Sequence, residues 1–236
     1  MSALLLLLLT APASAEDDGP GPSTSETALK WLRDSAEYHA ITTQTYRQAT
    51  AALKTNKKGK GPWAAVLDVD ETVLDNSVYQ LERHTYDLPY ESVSWHAWCE
   101  RRQATPVPGV EDFLAEVRKQ GGRVVFLTNR KAVVTEATRD NLADHGLYQD
   151  GDLLCTRTDT SDKAPRREQV RTGEGPCSFD EPTRAAVYLG DSWGDFPADG
   201  EETGTRLDGV GSRYFVLPNP LYGEWQFLRG ITRPLP

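Results

Sequence analysis

Apolar and polar residues follow one another along this chain in blocks. Short apolar runs at Trp63–Leu67, Arg123–Leu127, Asp152–Leu154, Ala185–Leu189 and Tyr214–Leu217 read as buried parallel strands. Segments with helical spacing separate them. Ser25–Lys54 carries Ala28, Leu29, Leu32, Ala36, Ala40, Ala49 and Leu53 at near-helical intervals, which predicts an N-terminal helix capped within Ser25–Thr27. Val110–Gln120 predicts a helix stopped by Gly121-Gly122, Val133–His145 one stopped by Gly146, and Lys163–Val170 a helical turn or two. Strands alternating with helices predict an α/β fold with a doubly wound parallel sheet. Asn76–Pro108 breaks the alternation. It is rich in aromatics (Tyr79, Tyr86, Tyr90, Trp95, Trp98) and reads as loop plus helix, a small mainly helical lobe over the strand ends. Residues 173–182 and 197–211 read as surface loops.

The N-terminus follows a different pattern. Leu4–Leu9 and then Ala13-Ser14-Ala15 form an apolar core with a small-residue cleavage site, the signature of a secretory signal over residues 1–15. The run is too short to span a membrane, and no Lys or Arg precedes the leucines. The expectation is a soluble secreted or cell-envelope protein after cleavage near Ala15, with no stable membrane anchor. Residues 16–25, rich in Gly, Pro, Ser and acid, read as a disordered linker, which leaves 26–236 as one domain. Export bears on the three cysteines. Cys155 and Cys177 flank a polar excursion that a disulfide would staple, and Cys99 reads as a small buried apolar group in an aromatic helix. The lack of a C-x-x-C and of a His pair at ligand spacing argues against a zinc site. The net charge of -9 argues against a nucleic-acid polymer as partner, and Lys57-Lys58-Gly59-Lys60 reads as a solvated linker.

Where the strands end, chemistry begins. The first runs into Val66-Leu67-Asp68-Val69-Asp70-Glu71-Thr72, the second into Thr128-Asn129-Arg130, and a later one into Gly190-Asp191-Ser192-Trp193-Gly194-Asp195, with Lys163 in between. Carboxylates crowded at a strand's end repel unless a cation or a reaction uses them, and in open α/β sheets that edge is where ligands bind. Singly, each has a plainer reading: Asp in turns, Thr128-Asn129 as a helix cap, Lys163 on the surface. Together and in this order, D-x-D-x-T, a strand ending in Thr, a Lys and G-D-x-x-x-D resemble the four motifs of the haloacid dehalogenase (HAD) superfamily. The fold expected is accordingly a HAD-like α/β sheet.

Breaking a phosphate monoester needs a nucleophile in line with the leaving oxygen, a proton for that oxygen, and positive charge around the phosphoryl group. Asp68 is the candidate nucleophile, forming an aspartyl-phosphate, and Asp70 the general acid that next activates water. Mg²⁺, which favours oxygen ligands, would be shared by Asp68 and Asp191, with the Asp70 backbone carbonyl as a third protein ligand. Thr128 and Asn129 would donate to phosphoryl oxygens, and Lys163 would serve phosphate and nucleophile together. Asp195 would orient metal waters or Lys163 from outside the ligand set.

Within the superfamily the chain most resembles the class C bacterial acid phosphatases (subfamily IIIB), relatives of the lipoprotein 5′-nucleotidases. The resemblance spans roughly residues 30 to 228. It rests on Ser35-Ala36-Glu37-Tyr38, the stretch Asp68–Ser77, Trp95-His96-Ala97-Trp98, Pro108-Gly109, Thr128-Asn129-Arg130, Gly190-Asp191 with Asp195, and Leu217-Pro218-Asn219 with Tyr222-Gly223 and Trp225. It implies a small phosphomonoester as substrate, a nucleotide among the options, with Tyr79, Trp95 and Tyr222 as an aromatic platform for the base. Equally, these three are core aromatics of the lobe. The lipoprotein members have a Cys after the signal, but here Ala15-Glu16 stands there, and residues 156–182 fit the pattern poorly. Plant storage proteins share the resemblance, so a non-catalytic secreted storage or binding protein is the alternative from another class. The presence of Asp68, Asp70, Lys163 and Asp191 favours an enzyme. A phosphotransferase would use the same intermediate, and the sequence does not separate it from a hydrolase.

Overall fold

A computed structural model describes residues 25–201 and 204–227. The expected signal and all of the expected linker except Ser25 lie outside those residues. Two helices open the fold, α1 (Glu26–Asp34) and α2 (Ala36–Asn56), where the spacing predicted one. Ser35 divides them. Its backbone is extended, and its hydroxyl accepts the Tyr38 N–H at 3.1 Å, so it caps α2 instead of continuing α1.

Strand β1 (Trp63–Leu67) follows. A two-residue ribbon of β2 (Leu74–Asp75) and β3 (Thr105–Pro106), paired antiparallel, brackets α3 (Ser77–Thr85) and α4 (Ser92–Arg101). The aromatic lobe thus enters and leaves the sheet edge at one place. Beyond it come α5 (Val110–Lys119), β4 (Arg123–Lys131), a 3₁₀ turn at Ala132–Val134, α6 (Thr135–Asp144), β5 (Leu153–Arg157) and α7 (Ala164–Thr172). The chain continues with β6 (Arg184–Gly190), the short α8 (Arg206–Gly209) inside the expected loop, and β7 (Tyr214–Val216).

The sheet is parallel, in the order β5-β4-β1-β6-β7. The chain leaves β1 toward β4 and β5, then crosses back to β6 and β7, so the topological switch lies at the central strand. Crevices at such a switch, beyond the strands' carboxyl ends, are where these sheets bind ligands. β1 is buried on both faces because alternate residues enter opposite cores. Ala65 and Leu67 join Tyr46, Leu53, Phe113, Val117 and Leu142, whereas Ala64 and Val66 join Val170, Phe196 and Tyr214.

Two boundaries differ from expectation in ways that matter for the site. β4 does not stop at Leu127: Thr128, Asn129 and Arg130 continue it to Lys131, with a register irregularity after Leu127. Thr128 and Asn129 therefore do not cap a helix. β5 begins a residue later than expected and extends to Arg157. Cys155 and Cys177 form a disulfide with Cα atoms 5.4 Å apart, tying β5 to the segment after α7, and Cys99 is a buried free thiol. Among the described residues no helix is long and apolar enough to cross a membrane.

Candidate active site

Asp68 leaves the carboxyl end of β1 with its backbone N–H on the Leu189 carbonyl of β6 (2.9 Å), which fixes it in the crevice between the two halves of the sheet. Lys163, directly before α7, reaches Asp68 Oδ1 with its ammonium and bonds Asp195 Oδ1 at 2.5 Å. All three side chains are buried. Burial opposes the lysine's charge, but Asp195 and Asp68 outweigh it and hold the ammonium above the usual lysine range. Burial pushes the Asp68 carboxyl up to about 7, opposed by Lys163 and reinforced by Asp195 and Asp70.

Asp191 follows the last residue of β6, and its carboxylate accepts the Asn219 amide at 2.8 Å. Burial and the charges of Asp195 and Asp68 raise its pKa well above the carboxylate range. One carboxylate oxygen from each of Asp68, Asp191 and Asp195 lies within 4.8 Å of the others. Asp195 uses both of its oxygens, one on Lys163 and one on the Ser192 N–H (2.8 Å). Asp68 and Asp191 each keep an oxygen outside the bonds described, so the ligand set expected of them and the supporting role expected of Asp195 fit this arrangement. Three crowded carboxylates facing one ammonium suit a hard divalent cation, which would relieve their mutual repulsion. Gly190 makes room for this packing, because a Cβ there would collide with the Asp195 carboxylate.

Asp70 is held from the lobe side. Arg130 Nε and Nη2 donate to its Oδ1 at 2.9 and 2.8 Å, and Asn76 Nδ2 donates to the same oxygen at 2.9 Å. Three donors converge on Oδ1 and leave Oδ2 outside the set. Arg130 is fully buried, bonds Asn76 Oδ1 (3.1 Å) and stacks over Trp95 (5.6 Å to the ring centre), while Trp98 Nε1 donates to Asn76 Oδ1 (2.8 Å). The loop that turns back after Asp70 has Glu71 in the left-handed region at φ 53°, and the buried Glu71 carboxyl accepts the Asn76 N–H at 3.0 Å. Burial, with Asp70, Asp191 and Asp75 adding to it, raises the Glu71 pKa well above its ordinary value.

On the side of β4 and α7, Arg166 donates to the Thr128 carbonyl and to Asn129 Oδ1, both at 2.6 Å, and Asn129 Nδ2 donates to the Ser161 carbonyl at 2.9 Å. The Thr128 hydroxyl accepts the Arg130 N–H at 3.0 Å. The expected residues Asp68, Asp70, Thr128, Asn129, Lys163, Asp191 and Asp195 thus converge on one crevice.

The three aromatics expected near the site lie in different packing environments. Tyr79 is a core residue with its hydroxyl on Ser94 (3.0 Å) and its ring edge-on to Trp95. At 2% exposed its packing is that of a core aromatic, one of the two readings the sequence left open. Trp95 is half-buried beside Arg130. Tyr222 packs against a separate cluster of Leu29, Leu32, Tyr38 and Leu221 under α1. Sequence reasoning missed the positioning parts played by Arg130, Asn76, Arg166 and Asn219. Three of the four lie in motif stretches already singled out, but only tertiary contacts reveal their partners.

A family model described as HAD superfamily, subfamily IIIB (Acid phosphatase), matches residues 19–225. The chain belongs to this family. Like the class C acid phosphatase of Bacillus anthracis, the subfamily IIIB chain is built on a parallel sheet flanked by helices. It is 26% identical to one solved structure of that enzyme, with a TM-score of 0.72 over 88% of this chain and 90% of that one. A second structure, with tungstate bound, is 24% identical at the same TM-score and coverage, a likeness of fold. Acid phosphatase 1 of Solanum lycopersicum is 28% identical over 165 residues, 70% of this chain and 59% of the relative, so the chain spans less than two thirds of that protein's length.

Proposed function

We propose that this subfamily IIIB protein is an exported, Mg²⁺-dependent phosphomonoesterase that works through an aspartyl-phosphate on Asp68. The observation that carries the reading is the pairing of two differently held carboxyls: Asp68 on the Lys163 ammonium at the end of β1, and Asp70 clamped through a single oxygen by Arg130 and Asn76. Asp68 attacks phosphorus as the ester oxygen departs, and Asp70 delivers a proton to that oxygen from its unclamped Oδ2. Asp70 then accepts a proton from water as the water attacks phosphorus, which frees phosphate and restores Asp68. Lys163 neutralises the nucleophile and the equatorial oxygens, and the Thr128 hydroxyl and the Asn129 amide, the latter on leaving the Ser161 carbonyl, would donate to the same oxygens.

Mg²⁺, held by Asp68, Asp191 and the Asp70 backbone carbonyl, would supply charge for the phosphoryl oxygens. Asp195 keeps Lys163 in line and Asn219 orients Asp191. The disulfide in β5 supports export to an oxidising compartment, in keeping with the leader-like residues 1–15.

The test is hydrolysis of p-nitrophenyl phosphate and 5′-AMP by the protein with and without Mg²⁺, beside Asp68→Asn. Metal-dependent turnover that vanishes in the variant supports the reading, and the substrate ratio reports on any base contact at Trp95. Turnover that survives Asp68→Asn removes Asp68 from the nucleophile's role. No turnover in folded, metal-loaded protein favours a storage or binding protein, and phosphate appearing on an added alcohol identifies a transferase.

A further inference from the structure

The loop after Asp70 carries a carboxyl that the reaction above leaves without a part. Glu71 is fully buried, and its backbone is left-handed at φ 53°, a conformation that costs free energy in a residue with a Cβ unless its surroundings fix it. Its backbone N–H donates to the Leu74 carbonyl at 2.8 Å, which folds residues 71–74 into a tight turn. The side chain crosses the base of that turn, and its Oε1 accepts the Asn76 backbone N–H at 3.0 Å. Oε2 has no hydrogen-bond partner. Burying a carboxyl for the sake of one backbone N–H is unfavourable unless that bond matters elsewhere.

Its effect shows at Asn76. This residue is the N-cap of α3, where an Asn side chain ordinarily accepts an N–H of its own helix, but here it makes no such bond. Two acids just before the helix take the first amides instead: Glu71 accepts the Asn76 N–H, and Asp75 accepts the Ser77 N–H at 2.7 Å. The Asn76 side chain is thereby released from capping. Its Nδ2 donates to Asp70 Oδ1 at 2.9 Å, and its Oδ1 accepts Trp98 Nε1 at 2.8 Å and Arg130 Nη2 at 3.1 Å.

The geometry points to Glu71 as a positioning residue. Its carboxyl pins the Asn76 backbone, so that the Asn76 amide holds Asp70 by Oδ1 and leaves Oδ2 aimed at the leaving oxygen. The inference rests on the phosphomonoesterase reading and adds a residue to its machinery. The role demands length and an acceptor, not charge. The side chain must span from the left-handed turn to the Asn76 N–H, and a carboxyl or an amide oxygen can accept there equally. A shorter acid falls short of that N–H, which frees the Asn76 backbone and loosens the amide on Asp70.

The experiment compares Glu71→Gln, which keeps the length and the acceptor without the acid, with Glu71→Asp, which keeps the acid on a chain one methylene shorter. Asp tolerates left-handed backbone, so the second variant retains the turn. Both are assayed with Mg²⁺ on 5′-AMP, whose alkoxide must be protonated as it leaves, and on 2,4-dinitrophenyl phosphate, whose phenolate leaves without a proton. In each case kcat/KM reports the steps through formation of the aspartyl-phosphate, so the ratio of the two isolates the proton delivery by Asp70. Glu71→Asp is expected to lower kcat/KM for 5′-AMP by about tenfold or more, part of the ~10²–10⁴-fold that a general acid contributes, and to leave that for the dinitrophenyl ester near the parent's. Glu71→Gln should keep the parent's ratio. An unchanged ratio in Glu71→Asp, whether or not both esters slow together, overturns the positioning role, as does a ratio in Glu71→Gln as low as that of Glu71→Asp. Should the parent hydrolyse neither ester, the phosphomonoesterase reading fails by itself, and NMR of the Trp98 indole N–H then decides the part played by Glu71. A resonance that moves and exchanges faster with water in Glu71→Asp but not in Glu71→Gln supports it, and any other pattern overturns it.

Discussion

Replacing Arg130 with Met should damage both stability and turnover. The guanidinium is 1% exposed and donates to Asp70 Oδ1 at 2.9 and 2.8 Å, to Asn76 Oδ1 at 3.1 Å and to Thr138 Oγ1 at 3.3 Å. Met fills similar volume and removes every donor, leaving Asp70 with the Asn76 amide alone. Removing one member of a buried ion pair costs about 3–5 kcal/mol. Asp70 keeps some contact with water, its side chain being 18% exposed, so the low end, ~3 kcal/mol, is the expectation. For a chain of this size that lowers the melting temperature by about 6–12 °C. Turnover suffers separately, because a general acid contributes ~10²–10⁴-fold and depends on its aim, so kcat for p-nitrophenyl phosphate should drop at least tenfold or so. Arg130→Lys keeps the charge without the fork and should fall between the two. Thermal melting followed by circular dichroism, with steady-state kinetics below the melting range, measures both effects. The kcat loss should also shrink when Arg130→Met is made in an Asp70→Asn background, since the two residues act as one unit. A melting temperature and a kcat both near those of the parent would refute the clamp, as would full additivity with Asp70→Asn.

Gly190→Ala drives a methyl group into the Asp195 carboxylate and should loosen the Lys163–Asp195 contact, lowering kcat and weakening Mg²⁺ binding in a calorimetric titration; unchanged binding would show that the turn absorbs the methyl. Replacing Cys155 and Cys177 together by Ser opens a loop with sequence separation 22, and urea denaturation should register a loss of about 3 kcal/mol. Retention of full stability would mean that the disulfide constrains the unfolded chain little. The metal-free protein should lose stability as pH rises from about 4 to 7. The folded Asp68 pKa, at about 7, stands above its ordinary value of 3.8, so the native state binds the extra proton across that window and releases it as pH climbs. Added Mg²⁺ should therefore raise the melting temperature more at pH 7.5 than at pH 5, because it binds the deprotonated carboxylates. An Mg²⁺ shift that is larger at pH 5 would contradict this.

The sequence by itself determined the strands and the chemistry at their ends. β1 was legible because Trp63–Leu67 is apolar throughout, as a strand buried on both faces must be, and Asp68 and Asp70 follow it at once. Asp191, Lys163 and Asp195 were legible as residue types in a fixed order, since parallel strands bring such residues to one edge. Local pattern could not give Ser35 breaking the first helix, because its extended backbone and cap follow from how α1 packs on Leu221 and α3. Nor could it give the extension of β4 through Thr128–Lys131, which depends on pairing with β5. The tertiary structure alone decided who holds whom. Arg130 meets Asp70 across 60 residues and Lys163 meets Asp68 across 95, and of the two readings open for Tyr79 its packing is that of a core aromatic. Hydrophobic periodicity is set by neighbours three or four positions apart and so survives in the one-dimensional string. The partner of a buried charge is chosen by burial itself, which exists only after the chain has closed around both groups.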